Sequence, residues 1–152
     1  MRAIVTGGAG FIGTNLIKRL LFEGHEVVSI DNYSTGNREN EQQGATYIDL
    51  DINTLKYAQF DMGNVDVIFH IAALARIQPS LKDPSICVEA NVNGTLEVLE
   101  LARKLEVPVI YAGSSSYHHG LYESPYAWSK HAEEKIVAVE SNHLLQQTSA
   151  KC

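Results

Sequence analysis

The chain has 152 residues, 45% of them hydrophobic and 20% charged, with a formal net charge of −6. That length suits one domain with a real core, and the acidic balance excludes a nucleic-acid or anionic-membrane surface, which needs clustered positive charge. No apolar run reaches the length of a membrane span, and the N-terminus enters a strand at once, leaving no room for a signal peptide. The two cysteines, Cys87 and Cys152, have neither metal spacing nor a disulfide framework. Cys87 reads as a small apolar helix residue and Cys152 as a terminal one, in a cytoplasmic protein.

The first element is a short apolar run, Ala3-Ile4-Val5, that breaks into glycines at Gly7, Gly10 and Gly13. Strand, glycine turn and helix in immediate succession are the signature of a dinucleotide-binding unit. The first glycine permits the tight turn, the second lets the backbone approach a pyrophosphate, and the third lets helix and strand pack closely. The helix spans Phe11 to Phe22, with Phe11, Ile12, Leu16, Ile17, Leu20 and Leu21 on one buried face and Gly24 as its stop. A second strand, Glu26 to Ile30, ends on Asp31, eighteen positions after Gly13. That is where a carboxylate bonds the adenosine ribose and disfavours a 2′-phosphate, which points to NAD. A plain strand-end aspartate capping a turn is the alternative.

Residues 32–43 form a polar loop with at most a short helix, and Ala45 to Ile48 is a third strand. Asp51 and Ile52 follow it, placed either to hold adenine or, for Asp51, to cap a short helix over Asn53 to Phe60. Val65 to Ile71 is a fourth strand, apolar throughout its centre, which implies a parallel sheet covered on both faces. The small residues Ala72-Ala73-Leu74-Ala75 suit backbone near a ligand. Pro79 and Pro84 punctuate the loop before a long helix, Pro84 to Leu105, with Val88, Val92, Leu96 and Leu99 on one stripe. Val98, Leu101 and Leu105 broaden its apolar face, as in a helix with a partner beyond its own sheet. Pro108 to Ala112 is a fifth strand, ending in Ser114-Ser115-Ser116. The last helix opens at Ser124-Pro125, a hydroxyl cap followed by proline at the first helical position, and runs to Glu140, with residues 141–152 a polar tail. Strands alternating with helices predict an α/β fold: a doubly wound parallel sheet ordered 3-2-1-4-5, with the ligand at the carboxyl ends near the switch between strands one and four.

Tyr126 and Lys130 share a face of the last helix. An ammonium beside a phenol stabilises the phenolate and makes the tyrosine a usable base near neutral pH, with a serine at the preceding strand end to share the proton. Thr6-Gly7-Gly8-Ala9-Gly10-Phe11-Ile12-Gly13 resembles the cofactor turn of the extended short-chain dehydrogenase/reductase family. Asp31-Asn32-Tyr33-Ser34-Thr35-Gly36 is similar to the strand-two end of its nucleotide-sugar epimerases. His70-Ile71-Ala72-Ala73, Asn91-Val92-Asn93-Gly94-Thr95, Ser114-Ser115-Ser116 and Tyr126-Ala127-Trp128-Ser129-Lys130 follow in the family's order. The likeness runs from Met1 to about Val139 and is nearest the UDP-glucose 4-epimerase-like members of the NAD-dependent epimerase/dehydratase type.

This resemblance implies an NAD(P)-binding Rossmann domain over residues 1–140. Tyr126 would be the base, Lys130 its activator and a contact to the nicotinamide ribose, and Ser115 the catalytic hydroxyl. Gly7, Gly10, Phe11, Ile12 and Gly13 would surround the pyrophosphate of NAD, with Asp31 and Asn32 on the adenosine ribose. Asp51 and Ile52 would hold adenine, while Ala72, Ala73 and Asn91 line the nicotinamide side. The reaction implied is transient oxidation of a sugar hydroxyl in a nucleotide sugar, a UDP-sugar first, by tyrosinate and hydride transfer to NAD. Reductase and decarboxylase chemistry belong to the same family. The family also dimerises through its two long helices, here Pro84–Leu105 and Pro125–Glu140. Three departures stand out. Ser116 and Tyr117 replace the acidic pair of dehydratases. His119-Gly120 replaces the usual Tyr-Gly, with only eleven positions from Ser115 to Tyr126. The family's further strand and substrate domain do not follow, so a cofactor-binding module without independent turnover is the second expectation. His118 and His119 have no acidic or thiol partner at metal spacing, so no metal is expected. His70 reads as a packing residue, and Trp128 and Tyr122 as packing or substrate contacts.

Overall fold

The computed structural model describes residues 1–58 and 62–149, and of Tyr117, His119 and 142–149 the backbone alone. Five parallel strands, β1 (Arg2–Thr6), β2 (Glu26–Asp31), β3 (Thr46–Asp49), β4 (Val67–His70) and β5 (Val109–Tyr111), form one sheet. Their order is β3-β2-β1-β4-β5, the expected doubly wound arrangement. The register pairs Thr6 with Ile30 and with His70, so the carboxyl ends of β1, β2 and β4 lie level.

Alternation along the strands divides the core into two layers. Ala3 and Val5 of β1 pack with Val27 and Val67 against Ile17 and Leu20 of helix α1 (Phe11–Phe22). Ile4, Val28, Ile30 and Ile68 face the other way, against Val98 and Ala102 of helix α4 (Gly94–Leu105) and against Ile52 and Leu55. Ile4, Ile17, Ile30 and Ile68 have no exposure; burying such a side chain contributes about 1.5–3 kcal/mol each. Phe11 and Ile12, expected on the buried face of α1, are 85% and 61% exposed. The first turn of α1 rises beyond the strand ends, where no layer covers it.

The loop over 32–43 carries one 3-10 turn, Arg38–Asn40. The short helix after β3 is also 3-10 and spans Ile52–Tyr57, and Phe60, placed in it from sequence, lies outside the described residues. Pro79 is not loop punctuation; it sits in the first turn of helix α2 (Ile77–Lys82), where its missing N–H costs nothing. The long helix expected over 84–105 is continuous but not uniform. Helix α3 (Pro84–Val88) passes through a π turn, Glu89–Asn93, into α4. Its enclosed face is Asn91, Gly94, Thr95, Val98 and Ala102, whereas Leu96 of the expected stripe is 41% exposed. Helix α5 runs Pro125–Ser149, well past Glu140. Residues 141–149 contain no glycine or proline to stop it, and 150–152 lie outside the described residues. Among the described residues no helix is long and apolar enough to cross a membrane.

Candidate functional site

The glycine turn is fixed by contacts that leave no room for side chains. Gly7 has a φ of +73°, and a Cβ there would lie 2.8 Å from the Ala72 Cα and N. A Cβ on Gly13 would come within 2.7 Å of the Gly8 Cα and closer still to the Gly7 carbonyl. Gly10 differs, because a Cβ would meet only the Gly7 carbonyl, at 3.4 Å. The protein itself barely restricts that position, so its glycine answers to what lies outside the turn. Gly8, which the motif spacing does not single out, is packed as tightly as Gly13: a Cβ would strike Ser29 Oγ and lie 2.7 Å from Ile17 Cδ1. No side chain caps α1 at Gly10 and no acidic residue occupies its first turn, so the free N–H groups and positive end of the helix face the strand ends, the geometry suited to an anion.

Asp31 ends β2 and is buried. Its Oδ2 accepts the Ala9 N–H at 2.8 Å and its Oδ1 the Tyr33 N–H at 2.8 Å. The carboxylate therefore ties the glycine turn to the next loop, and each oxygen keeps a lone pair for another donor. Asn32 is exposed; it accepts the Ser34 N–H and donates to Asp51 Oδ2 at 3.0 Å. Asp51 caps the turn after β3, accepting the Asn53 N–H at 2.9 Å. Ile52 is buried in the core, where Gly94 leaves space for it, so its side chain lies beneath the strand end and only its main chain is placed to meet a base.

At the switch between β1 and β4, a buried chain of hydrogen bonds crosses from strand to helix. Thr6 Oγ1 accepts the Ile71 and Ala72 N–H groups, each at 3.2 Å. With both on that oxygen, its proton goes to His70 Nδ1 at 2.7 Å, which leaves His70 Nε2 to donate to Thr95 Oγ1 at 2.9 Å. His70 is held neutral: burial, then the Lys130 charge, push it down to about 3. Ala72 and Ala73 follow, half-buried, over the glycine turn.

Asn91 is turned inward by the π segment and is 1% exposed. Its Oδ1 accepts the Leu74 N–H at 2.7 Å and its Nδ2 donates to Ser129 Oγ at 2.9 Å. It thus lies under the 72–75 loop and binds that loop to α5. Cys87, one turn earlier, is buried among the same groups, and burial pushes its thiol up.

The start of α5 follows its sequence signals. Ser124 Oγ accepts the Ala127 N–H at 3.1 Å, and buried Ser80 Oγ accepts the Tyr126 N–H at 3.2 Å. Tyr126 is half-buried and Lys130 is 5% exposed. Lys130 Nζ donates to Glu133 Oε2 at 2.6 Å and sits 4.6 Å from the centre of the Tyr111 ring at the end of β5. Glu133 was not singled out from sequence, although its spacing of three from Lys130 on a helix is the signal that finds it. Ser115 is exposed, and its carbonyl accepts the His118 N–H in the 3-10 turn Ser116–His119. Ser114 and Ser116 bond each other, at 2.9 Å. Tyr126 and Lys130 are brought together by the helix, but no hydrogen bond among the described residues joins either side chain to Ser115. Tyr122, 90% exposed, and Trp128, 44% exposed, line an open recess of about 360 Å³ beside them, with Leu81 and Pro125.

These features have close counterparts. The UDP-glucose 4-epimerase of Mycolicibacterium smegmatis is 38% identical over 131 residues, covering 79% of this chain and 41% of the relative. UDP-glucuronic acid decarboxylase 1 of Danio rerio is 30% identical over 117 residues, 77% of this chain and 28% of the relative. Among solved structures, the Thermus thermophilus UDP-glucose 4-epimerase in complex with NAD superposes with a TM-score of 0.84 at 32% identity, covering 95% of this chain and 52% of that one. The chain thus spans about half the length, or less, of these proteins. The profile of the NAD dependent epimerase/dehydratase family matches residues 3–144, and with nearly the whole sequence inside it the chain belongs to that family.

Proposed function

We propose that this chain binds NAD across the carboxyl ends of its strands and supplies the cofactor half and the base of a UDP-sugar 4-epimerase. The observation that carries the reading is the place of Lys130: a buried ammonium one helical turn after Tyr126, 4.6 Å from the ring of Tyr111, which pairs with His70 where β4 and β5 end. This supports a lysine acting at the carboxyl ends of β4 and β5, with the tyrosine one turn before it on the same helix.

The residues fit the cofactor. The uncapped first turn of α1, at Gly10, Phe11, Ile12 and Gly13, meets the pyrophosphate; Gly10 leaves the space it needs, and Gly7 makes the tight turn against Ala72 that brings the backbone there. Asp31, with Asn32, takes the adenosine ribose hydroxyls on its remaining lone pairs. Asp51 and the Ile52 main chain hold the adenine edge, and Ala72 and Ala73 flank the nicotinamide, backed by Asn91. NAD, when bound, takes a hydride from a sugar carbon and returns it. Tyr126 removes the proton from the hydroxyl on that carbon, Lys130 stabilises the phenolate and reaches the nicotinamide ribose, and Ser115, exposed after β5, shares the proton.

The UDP-sugar follows from the epimerase relatives. A decarboxylase relative supports UDP-glucuronate as the second substrate. We further place the chain in the cytoplasm, as a homodimer through α3–α4 and α5, a reading supported by the exposed Leu96 and Val139 on those helices. Calorimetric titration with NAD tests the cofactor site. NMR of UDP-glucose, UDP-galactose and UDP-glucuronate incubated with protein and NAD tests the reaction. Interconversion of the first two supports the epimerase, loss of carbon dioxide from the third supports the decarboxylase, and NAD binding without either leaves a cofactor module.

A further inference from the structure

The mechanism above assigns no part to Glu133, yet it is the most enclosed acid among the described residues. It has no exposure, its Oε2 accepts Lys130 Nζ at 2.6 Å, and the Tyr111 hydroxyl lies against the same carboxyl group. A carboxylate placed there is costly unless its charge is used, because removing an ion pair from water is offset only by good geometry and full hydrogen bonding. The pair is also placed on the reaction side of the helix. Tyr111 of β5 stacks under the ammonium, and Tyr126 is near enough to add to the rise of the Tyr111 phenol, which comes first from burial and then from Glu133.

The charged and titratable groups around Glu133 are few. Lys130, Tyr126 and Glu134 belong to α5, Tyr111 to β5, Cys87 to α3, and His70 at the end of β4 feels Lys130. Among these the lysine is the single cation, and Glu133 sits on it.

We propose that Glu133 is a positioning residue for Lys130. Its carboxylate holds the ammonium over Tyr111 and neutralises much of the field that the ammonium would otherwise exert on Tyr126. Protonating or replacing Glu133 then turns the full lysine charge on the tyrosine, and the base forms at lower pH. The proposal rests on the assignment of Tyr126 and Lys130 as the base pair. Burial raises the carboxyl of Glu133 while Lys130 opposes the rise, consistent with a group whose proton is under contest.

The test is a spectrophotometric tyrosine titration of the cofactor-free chain, with the Tyr126 component isolated by subtracting Tyr126→Phe. In Glu133→Gln that component ionises about one pH unit lower than in wild type, and in Glu133→Asp, which withdraws the carboxylate from Nζ, it moves the same way by less. In a Lys130→Met background, Glu133→Gln produces no movement, because an unpartnered buried carboxylate is already protonated. A Tyr126 component that stays in place in either folded variant overturns the proposal, as does a shift that persists without Lys130. If both single variants fail to fold while Lys130→Met/Glu133→Gln folds, Glu133 serves stability alone and the proposal also falls. Wild-type titration with NAD is run alongside: absent binding sinks the cofactor reading and leaves the tyrosine result to stand by itself.

Discussion

His70 accepts from the Thr6 hydroxyl and donates to that of Thr95, both neutral partners, and it feels the Lys130 charge. Its proton affinity is therefore far lower in the folded chain than in the unfolded one, at about 3 against 6.5. The unfolded state binds the extra proton, so stability is complete above about pH 6.5 and falls as pH drops toward 3. Between pH 7 and 4.5 this one residue removes on the order of 2–3 kcal/mol. Urea midpoints for wild type and His70→Gln over that range check it: the variant is less stable at pH 7 and loses less on acidification. Equal slopes would show that other groups dominate. On the proposed reading, Tyr126→Phe should lower sugar turnover by at least about 100-fold while NAD affinity stays within a few fold, measured by sugar NMR and calorimetry on one preparation. That Asp31 ends β2 and that Tyr126 and Lys130 share the last helix was legible from spacing, because those residues lie on regular elements; their roles are part of the proposal. Glu133 was not legible, since Glu134 beside it is spaced equally well to pair with Lys130, and only burial in the fold separates the two.

At the scale of elements, the glycine turn separates two roles that the motif merges. Gly13→Ala forces a methyl onto the Gly8 backbone, so the helix must move away from the strand, and thermal melting should show a loss of about 1–3 kcal/mol. Gly10→Ala meets only a contact at 3.4 Å; its melting point should hold while NAD affinity falls. If Gly10→Ala melted as early as Gly13→Ala, the division would be wrong. The order and type of elements were readable because hydrophobic period changes from two to 3.6 at each glycine or proline boundary. Local detail was less so. The π turn at Glu89–Asn93 carries no breaker residue, and the exposure of Phe11 and Ile12 follows from where the helix begins relative to the sheet, which period alone does not report. The end of α5 was placed early on polarity, although polar residues are ordinary helix formers.

For the whole molecule, the two core layers meet at β1 and β4, and Ile68 is enclosed on the α4 side without exposure. Ile68→Ala should cost about 2–5 kcal/mol in denaturant unfolding, a large share of the stability of a domain this size. Association is tested separately. Leu96 projects from the outer face of α4 at 41% exposure, so Leu96→Glu should convert a dimer to monomer in light scattering without changing the melting curve of the monomer. A wild type already monomeric at working concentration would refute the dimer.

Among the described residues β5 is three residues long, pairs with β4 alone, and leaves Ile110 52% exposed. An open margin of this kind offers a row of donors and acceptors to any extended chain that meets it. Among the described residues this margin is a route to self-association, and Ile110→Lys should lower the light scattering of concentrated samples.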